Sequence, residues 1–184
     1  MVLQSLLSEK KEALAKKWFE LVAQSYPSQT AEFLKNNKGQ FSNPVGYSLR
    51  HGLGALLDEM AGDMSQERLR DALDSIIRIR AVQDFTPSEA VSFIFPIKDI
   101  VFQELGNQIE TKELQAFTKS IDQIALIAFD VYMGCREDLF EVRVREVEKR
   151  NFRLLQVANQ LFELKGDETL SELHEGANTE KGKR

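Results

Sequence analysis

The sequence predicts an all-α protein, a helical bundle of five main helices with a long C-terminal helix extending as a coiled coil. Three observations predict it. Apolar residues recur at helical spacing almost throughout, and no segment shows the strict alternation of a half-buried strand. Only four prolines interrupt the pattern, and two of them, Pro44 and Pro87, stand where a helix can begin. From about Thr111 no proline occurs at all, and beyond Cys135 the apolar spacing tightens to sevens.

The first helix is expected from about Val2 to Tyr26, with Leu3, Leu6, Leu7, Leu14, Trp18, Leu21 and Val22 on one stripe. Pro27 ends it, because the residue before a proline is pushed out of the helical region. A short helical turn over Ser28 to Leu34 and a loop follow. Asn43 then caps a second helix with Pro44 at its first position. That helix holds Gly46, Gly52 and Gly54, each costing about 0.5–1 kcal/mol relative to alanine, which points to close packing of another backbone.

Ser65 is the expected cap of a third helix, Gln66 to about Asp84, with Asp74–Arg78 and Arg80–Asp84 as i,i+4 surface pairs. The fourth is specified by Thr86-Pro87-Ser88-Glu89. The Thr86 hydroxyl can accept from the Glu89 amide, and Glu89 can reach back to the Thr86 amide. Pro96 falls at mid-length, removing one ladder bond and predicting a kink near Phe93.

The fifth pattern, Thr111 to about Leu164, is too long for one task. Leu114, Phe117, Ile121, Ile124, Ala125, Ala128 and Tyr132 belong to the bundle. Phe140, Val147, Leu154 and Leu161 then form a d register, and Val144, Asn151 and Ala158 an a register. An asparagine at a favours a parallel, in-register homodimer, and Arg143 at g faces Glu148 at the following e. Leu155 and Phe162 lie at e, outside that seam, and mark a surface for a separate partner; the alternative is that the helix folds back and buries them. The resulting expectation is a bundle over 1–138, a coiled-coil extension over 139–164 and a disordered tail over 165–184.

Three blocks carry a resemblance: IRIRAVQDFTPSEAVSFIFPIK (Ile77 to Lys98), WFELVAQSYP (Trp18 to Pro27) and NPVGYSLRHGLGALLDEM (Asn43 to Met60). Together they resemble the RsbRD N-terminal domain family, named for the amino-terminal half of an RsbT co-antagonist of the bacterial stressosome, over roughly residues 10 to 140. The resemblance implies a helical sensory module, globin-like without haem or otherwise orthogonally packed, that signals to a STAS or histidine-kinase output domain. No such sequence follows within these 184 residues, so the expectation is a stand-alone version or an output partner on a separate polypeptide.

Composition excludes several classes. At 42% hydrophobic the chain can bury one core. A net charge of −5 and a basic run (Arg143, Arg145, Lys149, Arg150, Arg153) interleaved with glutamates argue against nucleic acid. One cysteine fits a reducing, cytoplasmic setting. The amino terminus lacks the order of a signal peptide, and the apolar run Ile121 to Cys135 is broken by Asp122, Gln123 and Asp130, so no membrane span is expected.

Catalytic motifs are absent. With His174 in the tail, only His51 could serve a triad, and no nucleophile motif surrounds it. Two-histidine metal patterns, CxxC, Walker and GxGxxG are missing, Cys135 reads as an inert core thiol, and Asp58, Glu59 and Asp63 read as a solvated helix end. No metal, cofactor or enzymatic activity is therefore expected. The function predicted is non-catalytic regulation by protein–protein contact. The alternative is a small-molecule sensor whose pocket lies beside the kinked fourth helix, at Phe93, Phe95 and Phe102, with His51 as the one credible haem ligand.

Overall fold

The computed structural model describes residues 2–36, 39–83 and 85–180, the side chains of 161 and 163–180 excepted. Its elements are α1 (Val2–Glu9), α2 (Lys11–Gln24), α3 (Ser28–Asn36), α4 (Pro44–Ala61), α5 (Gln66–Val82), α6 (Pro87–Ser92), α7 (Pro96–Leu105), a 3₁₀ turn (Gly106–Gln108) and α8 (Thr111–Glu180). No strand occurs among the described residues. The all-α bundle is as the periodicity predicts.

The chain divides into two compact units, Met1–Glu137 and Asp138–Arg184. In the first, α4 packs on α1, α2 and α5, and α2 also meets α3 and α7. The core holds Leu7, Leu14 and Trp18 of the first predicted stripe, Leu73 and Ile76 of the third helix and Ile121 and Ile124 of the fifth, together with Leu53 and Leu56 of α4, whereas Leu21 of the first stripe is exposed. The start of α8 is tied to the same unit by the Leu3 amide, which donates to the Glu113 carboxylate at 3.3 Å, and by the Tyr132 hydroxyl, which donates to the Phe85 carbonyl at 3.1 Å.

Local signals account for most boundaries. The Asn43 side chain accepts from the Gly46 amide at 2.8 Å and donates to the Leu34 carbonyl at 3.1 Å, so one buried residue starts α4 and closes the end of α3. A Cβ on Gly46 would lie 2.3 Å from the Asn43 amide nitrogen, so that glycine makes room for the cap. Gly52 confirms close packing: its Cβ would lie 2.7 Å from Ile76 Cγ1 and Ser75 Oγ. Gly54 does not, since its nearest neighbour would be Lys11 Cε at 4.0 Å. The capping box at Thr86 is present with both of its bonds.

Other expectations are corrected. The first helix is two, interrupted at Lys10 (φ −98°, ψ 11°), although ladder bonds to and from Lys10 persist at 3.0 Å. The short helical stretch expected over Ser28 to Leu34 continues to Asn36 as α3. Ser65 precedes α5 but makes no side-chain cap bond. Glu59, read as solvated, is instead buried: its carboxylate accepts from the Ser65 amide at 3.1 Å and from Arg68 Nε at 2.5 Å, holding the α4–α5 turn. Asp74 and Arg78 pair at 3.0 Å as expected, but Arg80 is not a surface residue, and its expected partner Asp84 lies outside the described residues. The fourth helix is broken into α6 and α7 rather than kinked, since Pro96 offers no N–H and the Ser92 carbonyl accepts instead from the Phe95 amide at 3.3 Å.

Candidate interaction surface

The break between α6 and α7 frees a carbonyl at Phe93, the place where the sequence suggests a ligand. The structure fills it from within. The Trp18 indole N–H donates to the Phe93 carbonyl at 2.6 Å, and Trp18 is fully buried. Phe93 itself is buried, but Phe95 and Phe102 are exposed, with Lys98 Nζ 5.4 Å from the centre of the Phe95 ring. His51 is exposed on α4, its ring stacked on Tyr47 at 6.1 Å. Of the four candidate pocket residues, one is buried and three face solvent. Three surface cavities lie elsewhere: about 390 Å³ beside Tyr26, Phe85 and Glu89, about 670 Å³ between Phe19, Lys35 and Arg50, and about 640 Å³ around Tyr26, Ala31 and Asn36.

Arg80 is the polar feature missed by sequence reading. It is fully buried, its guanidinium 4.2 Å from the Phe85 ring centre, 5.5 Å from Tyr26 and 5.6 Å from Phe93. Nη2 donates to the Glu89 carbonyl at 2.9 Å, and both terminal nitrogens reach Ser25 Oγ, at 3.3 and 3.2 Å. Aromatic faces attract the cation. Burial pushes the Arg80 pKa down, and the Tyr26 phenol is pushed up by burial while the neighbouring guanidinium opposes that shift. Among the described residues, Arg80 Nε and the Tyr26 hydroxyl find no partner in hydrogen-bonding geometry, although the guanidinium lies beside the phenol ring. A planar cation thus pins the end of α2 to α5 and to the start of α6. Its i,i+4 spacing to Asp84 conceals this role; the rings of Phe85 and Phe93 from the segment that follows, and of Tyr26 from the end of α2, create it.

Cys135 is buried, its Sγ 3.7 Å from Asp74 Oδ1. Among the described residues no group of three or more His, Cys, Asp or Glu could hold a metal ion. No helix among them is long and apolar enough to cross a membrane.

In the second unit, Phe140, Val144, Val147, Leu154, Leu155 and Phe162 are all exposed, Asn151 is exposed beside them, and Ala158 is partly exposed. The Leu161 side chain and those of the tail from Lys165 lie outside the described residues, as do residues 181–184 altogether. Arg145 and Glu141 pair at 2.8 Å along the helix surface. An apolar row of this length facing solvent is what a contact surface presents.

The model of the family described as RsbT co-antagonist protein rsbRD N-terminal domain matches residues 12–147. An uncharacterized protein of Archaeoglobus fulgidus is 33% identical over 81 residues, which are 44% of this chain and 52% of that protein. The chain thus matches about half the length of this curated relative. No solved structure matches the chain.

Proposed function

This chain belongs to the RsbT co-antagonist protein rsbRD N-terminal domain family, and from that premise we propose that it is a non-catalytic sensory or regulatory domain acting by protein–protein contact. The observation that carries the reading is the exposure of Phe140, Val144, Val147 and Leu154, large apolar side chains at heptad spacing on one helix. The occupant proposed for that seam is a second copy of the chain, parallel and in register. Asn151 then meets its twin, and Arg143 faces Glu148 of the partner helix. Leu155 and Phe162, outside the seam, are offered to a separate output protein. The alternative of a small-molecule or haem pocket at Phe93, Phe95, Phe102 and His51 draws no support from their placement, because the carbonyl freed at the helix break already has its donor in Trp18.

Sedimentation of the full chain tests this. A dimer at micromolar concentration that dissociates in Val147→Glu is expected, and Asn151→Leu should tighten association while admitting higher oligomers. A monomer at that concentration would sink the reading.

A further inference from the structure

Helices α2 and α4 of the first unit pack together and run in opposite directions, as two contacts between them show. Lys11 Nζ meets the Asp58 carboxylate at 2.6 Å, and the Arg50 guanidinium lies over the Phe19 ring, 4.0 Å from its centre. Eight residues forward along α2 thus match eight back along α4. The rung midway falls at Ala15 and Gly54, which between them carry a single methyl group. A Cβ at Gly54 would meet nothing closer than Lys11 Cε at 4.0 Å. The two filled rungs stand about 12 Å apart along the helix, and the bare one leaves a gap between them. The cavity of about 670 Å³ opens here, with Ala15 and Phe19 in its lining.

The cations of that lining converge from three helices: Lys16 from α2, Lys35 from α3 and Arg50 from α4. Its two carboxylates, Glu12 and Glu20, both stand on α2, one turn either side of Lys16. Three cations against two carboxylates leave the lining at +1, in a chain whose net charge is −5. Arg50 is fixed in place, since Nη2 donates to the Leu34 carbonyl at 2.5 Å and to the Lys35 carbonyl at 3.3 Å. Two like charges, Arg50 and Lys35, are thereby held at the end of α3, where an anion relieves their repulsion. Among the described residues, Lys16 and Lys35 make no ion pair. An apolar floor with a few converging polar groups is how small-ligand sites of roughly 300–1,000 Å³ are built.

We propose that this cavity binds a small aromatic acid, its carboxylate held by Lys16, Lys35 and Arg50 and its ring lying in the bare rung between Ala15 and Gly54. One missing pair of side chains between two filled rungs suits a compact, flat body rather than an extended chain. The site lies wholly within the first unit and does not depend on the dimer proposed above.

The probe is 1-naphthoate, titrated into the full chain by calorimetry, with 1-naphthamide as its uncharged counterpart. Saturable one-to-one binding of the carboxylate is expected, at least about tenfold tighter than the amide, because charge-assisted hydrogen bonds are the stronger kind. Lys16→Glu with Lys35→Glu should abolish that preference. Lys112→Glu, a like charge change at the exposed start of α8, should leave it intact. Gly54→Leu fills the bare rung without altering any charge and should weaken both probes by at least about tenfold. Circular dichroism establishes that each variant is folded, and the two changes read separate halves of the site, so either one decides. Carboxylate binding that survives either change undiminished overturns the inference. So does an amide bound as tightly as the carboxylate, or no saturation by 1-naphthoate at millimolar concentration.

Discussion

Trp18 of α2 donates its indole N–H to the carbonyl of Phe93 at 2.6 Å, in the turn that Pro96 forces between α6 and α7. A helix break inside a core leaves polar backbone that must find a partner. Here the partner comes from 75 residues away in sequence, so the break and the α2–α7 packing depend on one another. Trp18→Phe keeps an aromatic ring but removes the donor. It should cost about 1–3 kcal/mol for the unpaired carbonyl, plus a smaller packing loss, measured by urea unfolding. A loss below about 0.5 kcal/mol would show that the Phe93 carbonyl finds water or another donor.

Two glycines of α4, two residues apart, behave differently in this fold. Gly52→Ala pushes a methyl to within 2.7 Å of Ile76 Cγ1, and overpacking of this kind costs about 1–3 kcal/mol. Gly54→Ala meets only Lys11 Cε at 4.0 Å and should stabilise the protein by about 0.5–1 kcal/mol through helix propensity. Thermal unfolding of the two variants should move in opposite directions.

Arg80 should not tolerate lysine. A compact ammonium cannot lie flat among Phe85, Tyr26 and Phe93 or reach Ser25 and Glu89 together. Arg80→Met removes the buried charge and fills the cage; the Glu89 carbonyl keeps its bond from the Ser92 hydroxyl at 2.9 Å and loses only the charged donor, at a cost of about 1.5–3 kcal/mol. Arg80→Lys is therefore expected to be the less stable of the two in denaturant titration, although it conserves charge.

Tyr26 sets a dependence on alkaline pH. Its folded pKa is raised above the ordinary tyrosine value by burial, so its neutral form is favoured by folding. That contribution is complete below the unfolded pKa of about 10 and is lost as pH rises through the higher folded value. Tyr26→Phe should flatten the fall in stability above that pH.

Glu89 does the converse in acid. Hydrogen bonds from the Thr86 hydroxyl and then from its backbone amide hold the Glu89 carboxyl below its ordinary range. The stability this confers is present above the unfolded glutamate pKa and is lost as pH falls through the lower folded value. Glu89→Gln should lessen the acid sensitivity of unfolding; an unchanged pH profile would count against the capping box as its source.

What the sequence determined by itself was local. Helix starts at Asn43-Pro44 and Thr86-Pro87 are written in adjacent residues, because a cap and its amide lie within one turn. The core stripes follow from helical period, and the heptad row beyond Cys135 needs no fold to be seen. Tertiary structure decided everything that depends on what a side chain meets across the bundle. Arg80 and Glu59 look like surface charges until Tyr26, Phe85 and Phe93 close over one and Ser65 and Arg68 turn to the other. Phe93, Phe95 and Phe102 look like one aromatic wall, yet Phe95 and Phe102 face solvent and Phe93 lies inside. Gly52 and Gly54, two residues apart, project about 200° from one another around the helix, so α5 lies against one and not the other. Spacing along a chain gives the face a residue occupies; only packing gives that face its neighbour.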